Sequence, residues 1–152
     1  MAGSKPRILL VDDAPDTRVL LADLLRRRGY EVDESPDGAD ALRRVIQSPP
    51  DLVVTDALLP RRSGFDVCAE IKREESTRRI PVLIVTSITK TVGMSDDYWK
   101  RKSNADDFLS KPFEVPELVS RMELLLMEGR RADRRRLDGR GRPALGSPSP
   151  GI

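Results

Sequence analysis

The chain has 152 residues, a formal net charge of +2, one cysteine and no histidine. This length suffices for one domain with a buried core, and the lone Cys68 excludes an internal disulfide. The lack of histidine excludes the commonest general base and the usual nitrogen ligand of zinc. We expect a cytoplasmic protein, because no residues near the amino terminus have the order of a secretory signal, and no membrane partner, because no apolar stretch approaches the roughly 20 residues of a membrane helix.

The first apolar run predicts a strand that is followed by an amphipathic helix. The strand covers Arg7–Val11, Pro15 suits the first turn of a helix, and Gly29 is placed to end that helix. The apolar face of the helix is expected to consist of Leu20, Leu21, Leu24 and Leu25. This order of strand, turn and helix is the first of five such units.

The second and third units repeat this order. A strand is expected over Glu31–Ser35, and the turn at residues 36–38 leads into a helix that the prolines at residues 49–50 end. A third strand closes at Asp56, and Gly64 opens the third helix. The apolar side chains of these two helices are Leu42, Val45, Ile46, Val67, Cys68 and Ile71. We expect Cys68 to be a small buried apolar residue rather than a redox group.

The last two units complete an α/β pattern. The run ending at Thr86 shows no alternation with polar residues, which is typical of strands covered on both faces. A short fifth strand is expected around Phe108, with a helix near residues 96–103 before it. The helix after Pro116 carries Leu118, Met122 and Leu125 on one face. Five strands alternating with five helices predict a doubly wound α/β domain with a five-stranded parallel sheet.

The helical pattern stops after Glu128, and residues 129–152 are rich in Gly, Pro, Ser and Arg. They hold seven Arg and two Asp, a charge of 7 − 2 = +5, which leaves 2 − 5 = −3 for residues 1–128. Such a segment buries too little apolar surface to offset its ordering entropy, so we expect a disordered tail after one domain of residues 1–128.

The basic tail has three interpretations. It is a solubilising extension, a weak electrostatic contact to nucleic acid or membrane, or a docking segment for an acidic partner. We favour the first and the third. Sequence-specific nucleic-acid binding is not expected, because the tail has no aromatic residues to stack on bases.

Polar residues stand where the predicted strands end. Asp12 and Asp13 follow the first strand, Asp56 closes the third, Thr86 ends the fourth, and Lys111 follows the fifth. Because the carboxyl ends of parallel strands share one edge of the sheet, we expect these side chains to converge. Three carboxylates repel one another and therefore need a cation, and oxygen ligands without His or Cys favour Mg²⁺ or Mn²⁺.

This set of groups suits phosphoryl transfer to a carboxylate. Asp56 is the best candidate nucleophile, since an aspartyl phosphate needs positioning and charge neutralisation more than a strong base. The Lys111 ammonium can pair with Asp56 before transfer and with a phosphoryl oxygen afterwards, and the Thr86 hydroxyl can donate to another oxygen. Asp12 and Asp13 are predicted to support the metal.

Taken together, these motifs resemble the response-regulator receiver domain of two-component signalling, in its stand-alone, single-domain form. The resemblance covers roughly residues 5–128. The matching stretches are LVDD at 10–13, DALLP at 56–60 with Gly64 eight positions after Asp56, VTS at 85–87 and ADDFLSKPF at 105–113. Any one stretch alone would be a weak signature, whereas the combination is specific.

The resemblance implies a flavodoxin-like strand order, 2-1-3-4-5, and a role for each matching residue. Asp56 would be the phosphoacceptor and Lys111 the clamp on the phosphoryl group. Thr86 would be the switch hydroxyl and Phe108 the switch aromatic. The implied metal ligands are Asp13 and Asp56 directly, Asp12 largely through water, and the backbone carbonyl of Leu58.

The implied function is that of a phosphorylation-dependent signalling switch, not of an enzyme. A histidine kinase or a histidine phosphotransfer protein would supply the phosphoryl group, and the phosphoprotein would contact a downstream protein target through its fourth helix, fifth strand and fifth helix. Self-phosphorylation and self-dephosphorylation would be its only chemistry.

Two alternatives remain open. One is an interaction module that works without phosphorylation, which is disfavoured because such a module has no need to keep repelling charges together. The other is a metal-dependent phosphohydrolase with an Asp nucleophile. It is disfavoured because no second acid follows Asp56 at the two-residue spacing that the haloacid dehalogenase family uses for its general acid.

Overall fold

A computed structural model describes residues 4–86 and 104–137 of the chain. The strands are β1 (Arg7–Val11), β2 (Glu31–Ser35), β3 (Leu52–Asp56), β4 (Val82–Thr86) and β5 (Asp107–Ser110). The helices of the described ranges are α1 (Pro15–Arg27), α2 (Gly38–Gln47), α3 (Gly64–Arg73) and α4 (Val115–Leu137). The helix predicted near residues 96–103 lies outside the described residues.

The five strands form one parallel sheet in the order β2-β1-β3-β4-β5, which confirms the predicted doubly wound fold. Alternate side chains of each strand enter different cores, because successive residues of a strand point to opposite faces. Leu10 and Val54 pack on one face with residues of α1 and α4. Leu9 and Val53 pack on the other face with residues of α2 and α3. Covering on both faces explains why the strands lack polar alternation.

The helix starts are set by short local signals. Pro15 occupies the first turn of α1. Asp37 caps α2 by accepting a hydrogen bond from the Asp40 backbone N–H at 2.7 Å, and Ser63 caps α3 by accepting one from the Asp66 N–H at 3.1 Å. Each cap satisfies a backbone donor that has no partner within its own helix. The caps therefore fix where the helices begin relative to the strand ends.

The predicted apolar faces are wrong at two positions. Leu20 is 62% exposed and Ile46 is 69% exposed. In α1 the small Ala22 occupies the sheet side of the helix together with Leu25, and in α2 the core contact is made by Ala41 and Val45. Because alanine lets a helix approach the sheet closely, the helix can rotate a neighbouring leucine or isoleucine toward solvent. The predicted burial of Leu118, Met122 and Leu125 in α4, and of Cys68 in α3, is confirmed.

Helix α4 continues past the predicted domain boundary. Its bounds are Val115–Leu137, so residues 129–137 are helical and the prediction of a tail beginning at Gly129 is wrong for that segment. A glycine inside a helix costs only about 1 kcal/mol relative to alanine, and the Arg and Ala residues that follow are good helix formers. The tail prediction for residues 138–152 lies outside the described residues. Within the described part of the chain, neither α4 nor another helix is long and apolar enough to cross a membrane.

Candidate functional site

Three carboxylates meet at the carboxyl edge of the sheet, as predicted. Asp12 and Asp13 follow β1, and Asp56 is the last residue of the adjacent strand β3. One carboxylate oxygen from each lies within 4.8 Å of those of the other two. Asp12 is buried, Asp56 is half-buried and Asp13 is exposed. The cluster therefore has one open side through which a cation and a phosphoryl donor can approach.

The Lys111 ammonium lies at the same cluster. Its Nζ donates to Asp56 Oδ2 at 2.9 Å, and the side chain of Asp56 is only 14% exposed. Lys111 follows β5, and its backbone N–H donates to the Thr86 carbonyl at 3.1 Å, which holds the β5 end against the β4 end. The Lys111–Pro112 peptide bond is cis. The predicted pairing of Lys111 with Asp56 is therefore present.

The acidic cluster perturbs the titration of Asp12. Burial of this carboxyl raises its pKa above the ordinary value, and the nearby Asp56 and Asp13 charges raise it further. The Ala14 backbone N–H, which donates to Asp12 Oδ1 at 2.9 Å, and the Lys111 ammonium both lower the pKa. The net direction is upward, with burial as its largest cause, and the three carboxylates of the cluster face one ammonium. A divalent cation would supply the missing positive charge.

Helix α3 packs directly on the backbone of the predicted nucleophile. A side chain at Gly64 would clash with the carbonyl oxygen of Asp56, and the Gly64 backbone N–H donates to the Ala57 carbonyl at 2.9 Å. Only glycine allows this close approach of helix and strand end. Gly64 therefore helps to fix the position of Asp56, which gives a physical reason for the glycine in the predicted motif.

The two predicted switch residues end neighbouring strands. Thr86 is 1% exposed at the end of β4, where it pairs in register with Ser110 of β5. Phe108 is 7% exposed, and its ring meets the ring of Phe65 edge-on with centroids 6.2 Å apart. Phe65 was not predicted from the sequence, since an aromatic residue in the first turn of a helix carries no signal that it will touch a strand residue.

The fit of a divalent metal rests on the donor set. The cluster offers carboxylate oxygens alone, which are the ligands that Mg²⁺ prefers, and the described residues place no nitrogen or sulfur ligand in it. The Leu58 side chain is 60% exposed on the loop after β3. The predicted use of its backbone carbonyl as a ligand stays a prediction, as do the individual roles assigned to the carboxylates.

Comparison with known families gives one match over most of the chain. A family model described as the response regulator receiver domain matches residues 8–123. The matched segment includes the carboxylates, Thr86, Phe108 and Lys111.

The similar proteins include a transcriptional regulator, a response regulator and a receiver domain. The chain is 40% identical over 129 residues to the DNA-binding dual master transcriptional regulator RpaA of Synechocystis, covering 85% of this chain and 51% of that protein. The response regulator TrrA of Thermotoga maritima, solved with Mg²⁺ and BeF, is 31% identical with a TM-score of 0.68, covering 79% of this chain and 98% of that one. The receiver domain of the sensor histidine kinase PA1611 of Pseudomonas aeruginosa, solved with magnesium in its active-site cleft, is 28% identical with a TM-score of 0.72, covering 81% and 98%. The chain spans about half the length of the curated relatives it matches.

Proposed function

Because the chain belongs to the response regulator receiver domain family, we propose that it is a phosphorylation-dependent switch in which Asp56 accepts a phosphoryl group from a phosphohistidine donor. The observation that carries this proposal is the half-buried Asp56 carboxylate, held 2.9 Å from Lys111 Nζ and close to Asp12 and Asp13. The residues proposed as nucleophile, cationic clamp and metal-binding pair therefore lie close together, which supports the proposal.

The transfer step follows from these contacts. A carboxylate oxygen of Asp56 attacks phosphorus, an O–P bond forms, and the P–N bond to the donor imidazole breaks with its electrons going to the leaving nitrogen. Lys111 Nζ, which now donates to Asp56, can donate to a phosphoryl oxygen in the product. Asp12 and Asp13, with Asp56 and the Leu58 carbonyl, would hold Mg²⁺, which supplies charge neutralisation for the incoming phosphoryl group when bound.

The response to phosphorylation would run through Thr86 and Phe108. A phosphoryl oxygen on Asp56 offers an acceptor for the Thr86 hydroxyl, since β3 and β4 are paired neighbours at this edge. Movement of that hydroxyl would vacate space beside β5, into which the Phe108 ring could turn after leaving its contact with Phe65. A shift from about 1:99 to 99:1 needs roughly 5.5 kcal/mol of differential interaction, which a few charge-assisted hydrogen bonds can supply.

Family membership is also the basis for the proposed phosphodonor, target and site of action. A histidine kinase or a histidine phosphotransfer protein is the proposed donor, and a protein that contacts β5 and α4 is the proposed target. The site of action would be the cytoplasm, where ATP maintains the phosphohistidine donor. The chain would have self-phosphorylation and self-dephosphorylation as its only chemistry, with Mn²⁺ able to replace Mg²⁺.

A test uses a small phosphodonor, such as acetyl phosphate or phosphoramidate, with Mg²⁺ and intact-mass measurement. The wild-type chain is expected to gain one phosphoryl group, and Asp56→Asn is expected to gain none. Asp23→Asn is the matched control, because Asp23 lies exposed on α1 in an ion pair with Arg27. A wild-type chain that stays unmodified, or an Asp56→Asn chain modified to the same extent, would contradict the proposal and favour an interaction module that works without phosphate.

A further inference from the structure

A half-buried ion pair contacts the backbone of the acidic cluster. Arg18 of α1 is 16% exposed, and its Nε donates to Glu34 Oε1 of β2 at 3.1 Å. The same guanidinium donates through Nη1 to the backbone carbonyl of Asp12 at 2.9 Å. Arg18 therefore joins three elements, namely α1, β2 and the turn that follows β1. One of its two partners is the main chain of a predicted metal-site residue.

The Asp12 residue is held at three points. Its backbone N–H donates to the Ser35 carbonyl at 3.0 Å, its Oδ1 accepts from the Ala14 N–H at 2.9 Å, and its carbonyl accepts from Arg18. The Ala14 bond closes a turn around the peptide that follows Asp12, and that peptide sets the direction of the Asp13 side chain. The bond from Arg18 holds the carbonyl of the same peptide and restrains it further.

A fixed turn favours cation binding because the carboxylates repel one another. Without a cation, repulsion within the cluster favours any rotation of the turn that separates Asp12 and Asp13 from Asp56. A rigid turn keeps the oxygens gathered before a cation arrives, and preorganisation of this kind strengthens binding by lowering the cost of ordering the ligands.

We propose that Arg18 is a positioning residue for the metal site, which holds the Asp12 carbonyl while Glu34 holds the guanidinium. The inference rests on the proposed function in one respect, that the acidic cluster binds Mg²⁺. It adds a residue outside the cluster whose loss weakens that binding. Arg18 itself donates to a backbone carbonyl and does not touch the cation.

The chain offers a matched comparison for this role. Arg26, two helical turns after Arg18, also pairs with Glu34, at 3.3 Å through Oε2, and also donates to a backbone carbonyl, that of Val32 at 2.7 Å. Both arginines thus pair with Glu34 of β2 and hold one backbone carbonyl each, which lies after β1 for Arg18 and in β2 for Arg26. Among the hydrogen bonds of residues 4–86 and 104–137, none joins Arg26 to Asp12. A purely structural role predicts similar effects for both, whereas a positioning role singles out Arg18.

The experiment is a calorimetric titration of the full chain with MgCl₂, without phosphodonor. Arg18→Met is expected to raise the Mg²⁺ dissociation constant about tenfold, as is common when a supporting residue behind a metal ligand is lost. Arg26→Met is expected to leave the constant within about twofold of wild type. Arg18→Lys keeps one donor and is expected to fall between Arg18→Met and wild type.

Glu34→Gln provides a second route if Arg18→Met does not fold. It removes the negative charge that holds the guanidinium while leaving Arg18 in place, and it is expected to weaken Mg²⁺ binding in the same direction, by less than Arg18→Met. Equal effects of Arg18→Met and Arg26→Met, or an unchanged constant in the folded Arg18→Met and Glu34→Gln variants, would overturn the inference. A wild-type chain that binds Mg²⁺ but takes up no phosphoryl group would overturn the proposed function alone, since these titrations contain no donor.

Discussion

The Asp12 carboxylate is expected to weaken the fold when no cation is bound, and Asp12→Asn tests this. Asp12 is 8% exposed and lies with Asp13 and Asp56 in a cluster whose ligand oxygens are within 4.8 Å of one another. An asparagine at this position keeps an oxygen that can accept from the Ala14 N–H, so the change removes charge while it preserves the hydrogen bond.

The magnitude follows from the distances. Two like charges 4.8 Å apart repel by roughly 3 kcal/mol at an effective dielectric near 20. The attraction of Lys111 for Asp12 opposes this repulsion, and the open side of the cluster lets solvent screen it. We therefore expect Asp12→Asn to stabilise the cation-free chain by about 1–2 kcal/mol, which corresponds to a rise in Tm of roughly 2–8 °C for a domain of this size.

The burial of Asp12 also makes the stability of the fold depend on pH. Burial raises the pKa of Asp12 in the folded chain, so the folded state holds its proton at pH values where the unfolded state has released it. The stability that comes from Asp12 is therefore complete below its unfolded pKa and is lost as the pH rises through the raised folded value. The cost of this carboxylate is present in full above the raised folded pKa.

Urea unfolding in EDTA and in Mg²⁺ provides the assay. In EDTA at neutral pH, Asp12→Asn is expected to be more stable than wild type, and Mg²⁺ is expected to stabilise the variant less than wild type. The exposed Asp23 of α1 again gives the control, with Asp23→Asn expected within about 0.5 kcal/mol of wild type. A destabilised Asp12→Asn in EDTA would contradict this expectation, since it would show that repulsion within the cluster does not weaken the cation-free fold.

Three further changes test other parts of the site. Gly64→Ala is expected to lose about 1–3 kcal/mol of unfolding free energy and to slow phosphorylation, because the added methyl group forces α3 away from Asp56. In the control variant Gly129→Ala the added methyl group meets no neighbour within 4 Å, so this change is expected to stabilise α4 by up to about 1 kcal/mol. Equal effects of the two changes on stability would contradict the close packing of α3 on Asp56. Lys111→Met is expected to slow formation of the phosphoryl adduct about 100-fold in timed intact-mass measurements, and an unchanged rate would show that the ammonium is no clamp. Thr86→Ala is expected to accept the phosphoryl group but to lose the phosphorylation-dependent change in hydrogen exchange of β5, and retention of that change would remove Thr86 from the switch.

The strands and the location of the site were predictable because both depend on simple rules. Unbroken apolar runs such as β4 mark strands covered on both faces, and residues at the carboxyl ends of parallel strands must share one edge. Asp12, Asp56 and Lys111 are far apart in the chain, yet these rules alone bring them together.

The sequence was less informative wherever close packing decides the outcome. The exposure of Leu20 depends on how Ala22 lets α1 approach the sheet, which apolar spacing alone does not reveal. The continuation of α4 through Gly129 depends on whether the packing of the preceding part of the helix stabilises it by more than one poor helix former destabilises it. Arg18 gave no signal either, because its partners are a glutamate 16 residues later and a backbone carbonyl, and a backbone carbonyl leaves no trace in a sequence.

Locating the phosphoryl group shows directly whether Asp56 is the phosphoacceptor. After reaction with a small phosphodonor and Mg²⁺, the chain is reduced with borohydride, which converts an aspartyl phosphate to homoserine, and its peptides are then sequenced by mass spectrometry. Homoserine is expected at position 56, with Asp12 and Asp13 unmodified. Homoserine at either of those two positions, with Asp56 intact, would contradict it.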